Sequence, residues 1–176
     1  MSTTASTTGQ SAGRPHGTAA GPQAPTVGRI DPRGQRFAAT LTAVVLAAAL
    51  VLSPSAWTVV LVGAQLVVFG FGSLAGPART PYAWIFRTFV RPRLGAPRET
   101  EDAAPPRFAQ TVGLLFASVS LVGYLAGVPT LGAVAAGFAL AAAFLNAAFG
   151  YCLGCEMYLL SRRSSARLHH STRPTT

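Results

Sequence analysis

Four long apolar blocks, separated by arginine-rich segments, constrain this chain more than any other feature. They cover about residues 37–52, 57–76, 108–127 and 131–160, and they contain no charged side chain before Glu156. About 20 apolar residues of helix cross a bilayer core of about 30 Å. With 50% hydrophobic and 11% charged residues, the chain is too apolar for a water-facing surface. The blocks therefore predict an all-α fold, a four-span transmembrane helical bundle.

The charged residues predict how the bundle is oriented. All 14 basic residues are arginines, and they lie before the first block, between the second and third, and after the fourth. The other two links, at residues 53–55 and 127–129, are short uncharged hairpins. Because arginine-rich loops stay in the cytoplasm, we expect a plasma-membrane protein with both termini and loop 77–107 cytoplasmic. Nucleic-acid binding is disfavoured despite the net charge of +9, since no base-stacking or groove-reading module is visible.

The composition divides the chain into three regions. Residues 1–28 are rich in Ser, Thr, Gly, Ala and Pro and predict a disordered tail, residues 29–163 form the membrane domain, and residues 164–176 predict a disordered basic tail. A cleaved signal peptide ending at Ala56 is an alternative for the short first block. Pro54 would then occupy a position that requires a small residue, so we favour an uncleaved span.

An internal repeat is suggested by two pairs of similar motifs. RFAAT at residues 36–40 opens the first block and RFAQT at 107–111 opens the third, while FGFG and FGYC occur late in the second and fourth. These motifs predict two hairpins related as a parallel repeat. In this alignment Gly72 and Ala75 match Cys152 and Cys155. Chance similarity among Ala-, Gly- and Val-rich helices is the alternative.

Small residues and two amides are predicted to hold the helices together. Glycines four residues apart allow helix backbones to approach closely in lipid. The candidate packing pairs are Gly72 with Gly76, Gly123 with Gly127, and Gly150 with Gly154. Gln65 and Asn146 are the deepest polar side chains and predict interhelical hydrogen bonds, with Asn146 on the opposite face of the helix from Cys155.

The loop contains one structured segment, residues 81–91, whose apolar side chains recur at helical spacing. We predict a short amphipathic helix in the inner membrane interface, ended by Pro92, with its aromatic rings among the acyl chains and its arginines on lipid phosphates. The predicted interface residues are Tyr82, Trp84, Phe86, Arg87 and Arg91. A lid over the bundle is the functional alternative to this membrane anchor.

The only cysteines, Cys152 and Cys155, are the candidate catalytic residues. On one helix from residue 131, Cys152 lies about 32 Å along the axis, which predicts the cytoplasmic interface. The reducing cytosol disfavours a structural disulfide. Transient thiol chemistry, packing as small apolar residues, and half of a metal site completed by a dimer remain open. The negative helix end and Glu156 disfavour a thiolate, whereas Arg162 and Arg163 favour it.

The segments DPRGQRFAAT (31–40), RTPY (79–82) and FGYCLGCE (149–156) together resemble an uncharacterised bacterial membrane family, domain of unknown function 4395, frequent in actinobacteria. The resemblance covers residues 27–163 and brings no established activity. Members look to be encoded near thioredoxin-like and sulfurtransferase proteins. By association, this implies thiol or sulfur handling with a partner of one of those kinds.

The predicted function is thus an integral membrane protein with thiol redox or sulfur-relay activity at the cysteine pair. The alternatives are a non-catalytic protein that docks a cytosolic partner through its middle loop, or a small permease for a sulfur compound. The sequence shows no phosphate loop, catalytic triad or paired carboxylates, and we predict no metal and no cofactor.

Overall fold

The computed structural model describes residues 28–95 and 100–171, which are almost entirely helical, and confirms the all-α class. Its helices are α1 (Pro32–Val51), α2 (Ala56–Leu74), α3 (Pro81–Ile85), α4 (Arg91–Leu94), α5 (Ala104–Leu125), α6 (Pro129–Phe149) and α7 (Leu153–Ser171). Four of them, α1, α2, α5 and α6, are long and apolar enough to cross a membrane, as in a multi-pass membrane protein. The predicted disordered tail over 1–28 lies outside the described residues, apart from Gly28.

The C-terminal segment differs from its prediction, because α7 continues to Ser171 through most of the region expected to be disordered. Residues 164–171 contain neither proline nor glycine, and the first proline of this region is Pro174. Nothing in that stretch therefore breaks a helix that has already started. Residues 172–176 lie outside the described part of the chain.

The first and third spans begin with the same interaction, an aspartate carboxylate that accepts a hydrogen bond from a backbone N–H at the helix start. At the start of α1, the Asp31 carboxylate accepts a hydrogen bond of 3.0 Å from the Arg33 N–H. At the start of α5, the Asp102 carboxylate accepts one of 3.0 Å from the Ala104 N–H. Each aspartate thus satisfies an N–H group that has no partner inside its helix.

A short strand pair joins these two helix starts. Strand β1 (Arg29–Ile30) pairs antiparallel with β2 (Glu101–Asp102). Neither strand was predicted from the sequence. Because the backbone groups of the two segments satisfy each other, the pair holds the beginnings of α1 and α5 side by side.

The bundle core is built from small residues and buried hydroxyls. The most extensive helix contacts are between α2 and α5, α1 and α6, and α5 and α6. The Ser120 hydroxyl donates to the Gly132 carbonyl at 2.8 Å, and the Thr58 hydroxyl donates to the Ala49 carbonyl at 3.2 Å. Leu46, Val62 and Phe69 are buried among them, whereas many other large apolar side chains point outward: Leu125 is 67% exposed. Small residues inside and large ones outside are typical of helices that pack in lipid.

The six predicted packing glycines fall into two groups. At Gly72, Gly123 and Gly154 an added Cβ would lie 2.6 Å from an atom of a neighbouring helix, so these glycines permit close approach. By contrast, Gly76, Gly127 and Gly150 have positive φ and follow the ends of α2, α5 and α6. Their role is to end helices, which corrects the predicted packing role at these three positions.

Two arginines cap helices in the opposite half of the chain. Arg107, at the start of α5, donates at 2.7 Å to the carbonyls of Ser73 and Leu74, which end α2. Arg36, in α1, donates at 3.3 Å to two carbonyls near the end of α6. The last carbonyls of a helix lack internal partners and carry its negative dipole end, so a guanidinium offsets both.

The predicted interfacial helix over 81–91 is longer than expected, because residues 81–94 are continuously helical. A π-helical turn joins α3 to α4, and the Arg91 N–H donates to the Phe86 carbonyl five residues back. Pro92 was expected to end this helix but stands in the first turn of α4. It removes one N–H donor from the helical run without ending it.

Candidate functional site

The helix that was predicted to run over residues 131–160 is broken next to the cysteine pair. Helix α6 ends at Phe149, and Gly150 follows in the left-handed conformation, with a φ of 70°. A new helix, α7, begins at Leu153. The length of the predicted helix already indicated a break, since 30 residues of helix would span about 45 Å, well beyond a bilayer core of about 30 Å.

The break places the two cysteines in the first turn of α7. The Cys152 carbonyl accepts the first bond of the helix, from the Glu156 N–H at 3.0 Å. The Cys155 N–H donates to the Cys152 Sγ at 3.4 Å, so Cys152 caps the helix. The positive end of the helix dipole therefore faces the pair and favours a thiolate. This corrects the prediction that the pair sits at a negative helix end.

The two thiols differ in acidity. A hydrogen bond from the Cys155 thiol lowers the pKa of Cys152 to about 7, although burial opposes it. The backbone N–H groups of Cys155 and Gly154 lower that pKa further, whereas the charge of Glu101 raises it. The bond to Cys152 and burial raise the pKa of Cys155. The pair thus combines one thiolate near neutral pH with one thiol that keeps its proton, the division expected of a nucleophile and its resolving partner.

Helix α7 rests on α5 rather than on the helix that precedes it. An added Cβ on Gly154 would lie 2.6 Å from both Cα and Cβ of Ala109. One turn further on, the Tyr158 ring packs against Phe108 with centroids 5.9 Å apart. Gly154 is therefore the close contact that positions the cysteine turn.

A cavity of about 500 Å³ opens beside the cysteines, between the starts of α1, α5 and α7. Its charged and polar lining consists of Gln35, Arg36, Glu101, Asp102, Asn146, Tyr151 and Glu156, together with the two cysteines. Neither cysteine forms a disulfide, and both side chains are partly exposed. A thiol at the wall of an open polar cavity is accessible to a reactant, as redox chemistry requires.

The two deep amides behave differently from each other. Gln65 makes the interhelical hydrogen bond that was predicted, from its Nε2 to the Thr42 hydroxyl at 3.1 Å. Asn146 was predicted on the face opposite Cys155, yet it lines the same cavity as both cysteines. The opposite placement assumed one continuous helix, and the break at Gly150 removes that assumption.

The predicted interface residues are divided between the bundle and the outside. Tyr82 donates to the Gln65 side-chain oxygen at 2.9 Å. Phe86 is only 4% exposed and packs on Phe37 with ring centroids 5.7 Å apart. These two rings therefore cover the bundle rather than entering an acyl region. The side chains that stay exposed are Trp84, Arg87 and Arg91, together with Phe89, whose ring meets that of Trp84 edge-on at 6.2 Å.

The helix after α2 starts in the same way as the helix after α6. The Thr80 hydroxyl caps α3 and accepts from the Ala83 N–H at 3.1 Å. Cys152 caps α7 and accepts from the Cys155 N–H. The second half of the chain thus has a cysteine where the first half has an ordinary capping residue.

Among residues 28–95 and 100–164, no three His, Cys, Asp or Glu side chains lie close enough together to hold a metal ion. No curated protein and no solved structure matches the chain. A family model described as a domain of unknown function, DUF4395, matches residues 30–163. The match covers well over half of the chain and includes α1 to α6 and the cysteine turn of α7. The chain therefore belongs to the DUF4395 family, the family that its motifs resemble.

Proposed function

We propose that this chain is a membrane thiol relay in which Cys152 is the nucleophile and Cys155 the resolving thiol. The observation that carries the proposal is the position of the pair in the first turn of α7, beside an open cavity. A buried structural cysteine needs neither a positive helix end nor access to solvent. Thr80 shows that a hydroxyl caps the corresponding turn in the first half, so capping alone does not require a thiol.

The relay follows from the different acidities of the two thiols. The Cys152 thiolate attacks a partner disulfide, forming a mixed disulfide and releasing one partner thiolate, which takes a proton from solvent. Cys155 then loses its proton and attacks the Cys152 Sγ. The Cys152–Cys155 bond forms, the mixed disulfide breaks, and the second partner sulfur leaves as a thiol. The partner gains two electrons and two protons, which the dithiol pair loses.

The same pair suits a sulfur relay. The Cys152 thiolate attacks the outer sulfur of a donor persulfide, so the donor leaves as a thiolate and Cys152 carries the persulfide. Cys155 then attacks the Cys152 Sγ, forming the disulfide and releasing hydrosulfide. The resemblance to a family encoded near thioredoxin-like and sulfurtransferase proteins supports a partner of either kind.

We place the site on the cytoplasmic side of the plasma membrane, with both termini on that side. The distribution of arginines supports this orientation, since all of them lie outside the two short hairpins. Arg36 caps the end of α6, which leads into the cysteine turn, and Arg107 caps the end of α2, which leads into the arginine-rich middle loop. The exposed Trp84–Phe89 ring pair, with Arg87 and Arg91 nearby, suits an anchor at the same membrane surface.

We also propose the internal repeat, in a register different from the expected one. The two aspartate caps and the two arginine caps occur at corresponding places in the two halves. The capping bonds of Thr80 and Cys152 extend the correspondence beyond the spans. In this register Cys152 matches Thr80 and Cys155 matches Ala83, in place of Gly72 and Ala75.

Trapping of the mixed disulfide tests the relay. Inverted membrane vesicles carrying the full chain would be reduced, then exposed to an oxidised thioredoxin-like protein and resolved without reductant. Cys155→Ser should accumulate a mixed disulfide, because Cys152 attacks and the variant has no second thiol of its own to resolve the bond. Cys152→Ser is the matched control and should accumulate at most traces.

The orientation is tested in the same vesicles with a membrane-impermeant maleimide. Labelling of wild type in inverted vesicles but not in intact spheroplasts is expected, with diamide blocking it and reductant restoring it. Equal trapping in the two serine variants, or thiols that label only in detergent, would overturn the relay.

A further inference from the structure

A second cavity, of about 300 Å³, extends from Cys152 into the bundle. It lies between α1, α5, α6 and α7, so it reaches from the cysteine turn into the depth of the spans. Its wall is mostly apolar and includes the rings of Phe69, Phe116 and Phe138 and the thioether of Met157. Cys152 borders this cavity as well as the polar one, so the proposed nucleophile lies between an aqueous and an apolar chamber.

Three carboxamides interrupt the apolar wall: Gln35 from α1, Gln110 from α5 and Asn146 from α6. Among the residues that the structure describes, none of their side chains makes a hydrogen bond, and the Gln110 Oε1 is buried without a partner. A buried polar group left unpaired costs about 1–3 kcal/mol. Among the described residues only the Gln110 Oε1 bears this cost, since Gln35 and Asn146 are partly exposed and also line the polar cavity. The buried Gln110 oxygen, with two further amides on the same wall, therefore points to a ligand that carries hydrogen-bonding groups.

We propose that this chamber binds the ring of a membrane quinone and that the Cys152–Cys155 pair exchanges two electrons with it. The proposal rests on the thiol relay and names its electron acceptor: a reduced partner dithiol returns two electrons to the Cys152–Cys155 disulfide by the reverse of the exchange above, and the quinone then takes two electrons from the dithiol pair. A flat apolar ring suits the phenyl-lined wall, and about 300 Å³ is the lower end of ordinary ligand pockets. Quinone oxygens accept from an amide NH₂ and quinol hydroxyls donate to an amide oxygen, so a carboxamide serves both redox states.

The electron balance is complete within this pair of reactants. The Cys152 thiolate adds to a ring carbon of the quinone, and the ring takes up one proton. Cys155 loses its proton and attacks the Cys152 Sγ, forming the disulfide. The sulfur–carbon bond breaks, its electron pair stays on the ring, and the second proton yields the quinol. Two thiols lose two electrons and two protons, and one quinone gains them.

The test uses the purified full chain in detergent, reduced and freed of excess reductant, with a decyl-substituted benzoquinone. Quinol is followed by absorbance, and free thiols are counted by mass after maleimide labelling. One quinol for each lost thiol pair is expected. Ala142→Leu fills the chamber from α6 and should lower the rate about tenfold, a barrier increase of about 1.4 kcal/mol. Ala141→Leu is the matched control, because Ala141 is exposed and lines a groove on another face.

A second oxidant, a neutral dipyridyl disulfide that reaches the cysteine pair from water, distinguishes failure of the quinone site from failure of the thiol relay. Oxidation of all variants by this reagent but not by quinone overturns the quinone site and leaves the relay intact. Failure of wild type with both reagents overturns the two proposals together. Equal quinone rates in the two leucine variants, or a quinone adduct in place of the disulfide, would also overturn the chamber as the site, with an acyl chain as its remaining occupant.

Discussion

The Cys155→Ala variant tests the physical cause of the thiol acidity. The thiol of Cys155 is the largest cause of the lowered pKa of Cys152, which is about 7 against an ordinary value of 9.0. Alanine removes that donor and leaves the backbone N–H groups in place. The pKa of Cys152 should therefore rise toward its ordinary value, because burial raises this pKa and the strongest interaction that lowers it has been removed.

The size of the effect depends on two opposing factors. At pH 7 a thiol with a pKa of about 7 is about half thiolate, whereas one with a pKa of 9.0 is about one hundredth thiolate. A thiolate becomes less nucleophilic as the pKa of its thiol falls, with a Brønsted coefficient of about 0.4–0.5. The thiolate with the lower pKa therefore attacks a disulfide about tenfold more slowly than the thiolate with a pKa of 9.0. For full reversal of the shift, wild type should react about fivefold faster at pH 7 and about tenfold slower at high pH.

The rates of the two proteins should thus cross as pH rises. The assay is the release of thiopyridone from a neutral dipyridyl disulfide by the reduced full chain, followed by stopped-flow absorbance over a pH series. Cys155→Ser keeps a hydroxyl donor, so its midpoint should lie between those of wild type and the alanine variant. A wild-type midpoint near 9, or parallel curves for wild type and Cys155→Ala, would refute the assigned cause.

Three further variants test the supports of the site. Gly154→Ala should displace α7 and slow the reaction of Cys152 with the dipyridyl disulfide. Gly137→Ala is the control and should leave this rate unchanged, because a Cβ at Gly137 meets open space. Equal rates for the two variants would contradict the close contact at Gly154. Arg107→Gln removes two bonds of 2.7 Å to the end of α2 and should lower stability by about 1.5–3 kcal/mol, measured by thermal unfolding in detergent. Tyr82→Phe leaves the buried Gln65 oxygen unpaired and should cost about 1–3 kcal/mol in the same assay; an unchanged midpoint argues against that bond.

The spans could be predicted from the sequence because lipid imposes a simple rule on them. A helix that crosses a bilayer needs a fixed length of uncharged residues, and blocks of that kind are visible without any structure. Three of the four predicted spans lie close to α1, α2 and α5, and α6 covers most of the fourth. Gln65 was also predicted correctly, since a lone amide in an apolar helix must find an interhelical partner.

The cysteine turn could not be predicted with the same rule. The break depends on the left-handed conformation of Gly150, and a glycine in an apolar helix is equally compatible with close packing. The sign of the helix dipole at Cys152 was therefore predicted wrongly, because Cys152 lies at the positive start of α7 and not at the negative end of α6. Gln35 was missed as a cavity residue, since its position depends on how α1 meets α7. Only the excess length of the fourth block gave a signal.

The crossed arginine caps have a consequence for how the protein is made. Arg107 satisfies the end of α2, and Arg36 satisfies the end of α6, so each cap joins segments that leave the ribosome at different times. Until α5 is made, the carbonyls at the end of α2 lack the hydrogen bonds from Arg107. Until α6 is made, Arg36 lacks the carbonyls to which it donates. Each hairpin alone would therefore lack one of its caps, and a chain cut after α2 would leave the carbonyls at the end of α2 without the Arg107 guanidinium. Both caps form only when all four spans are present.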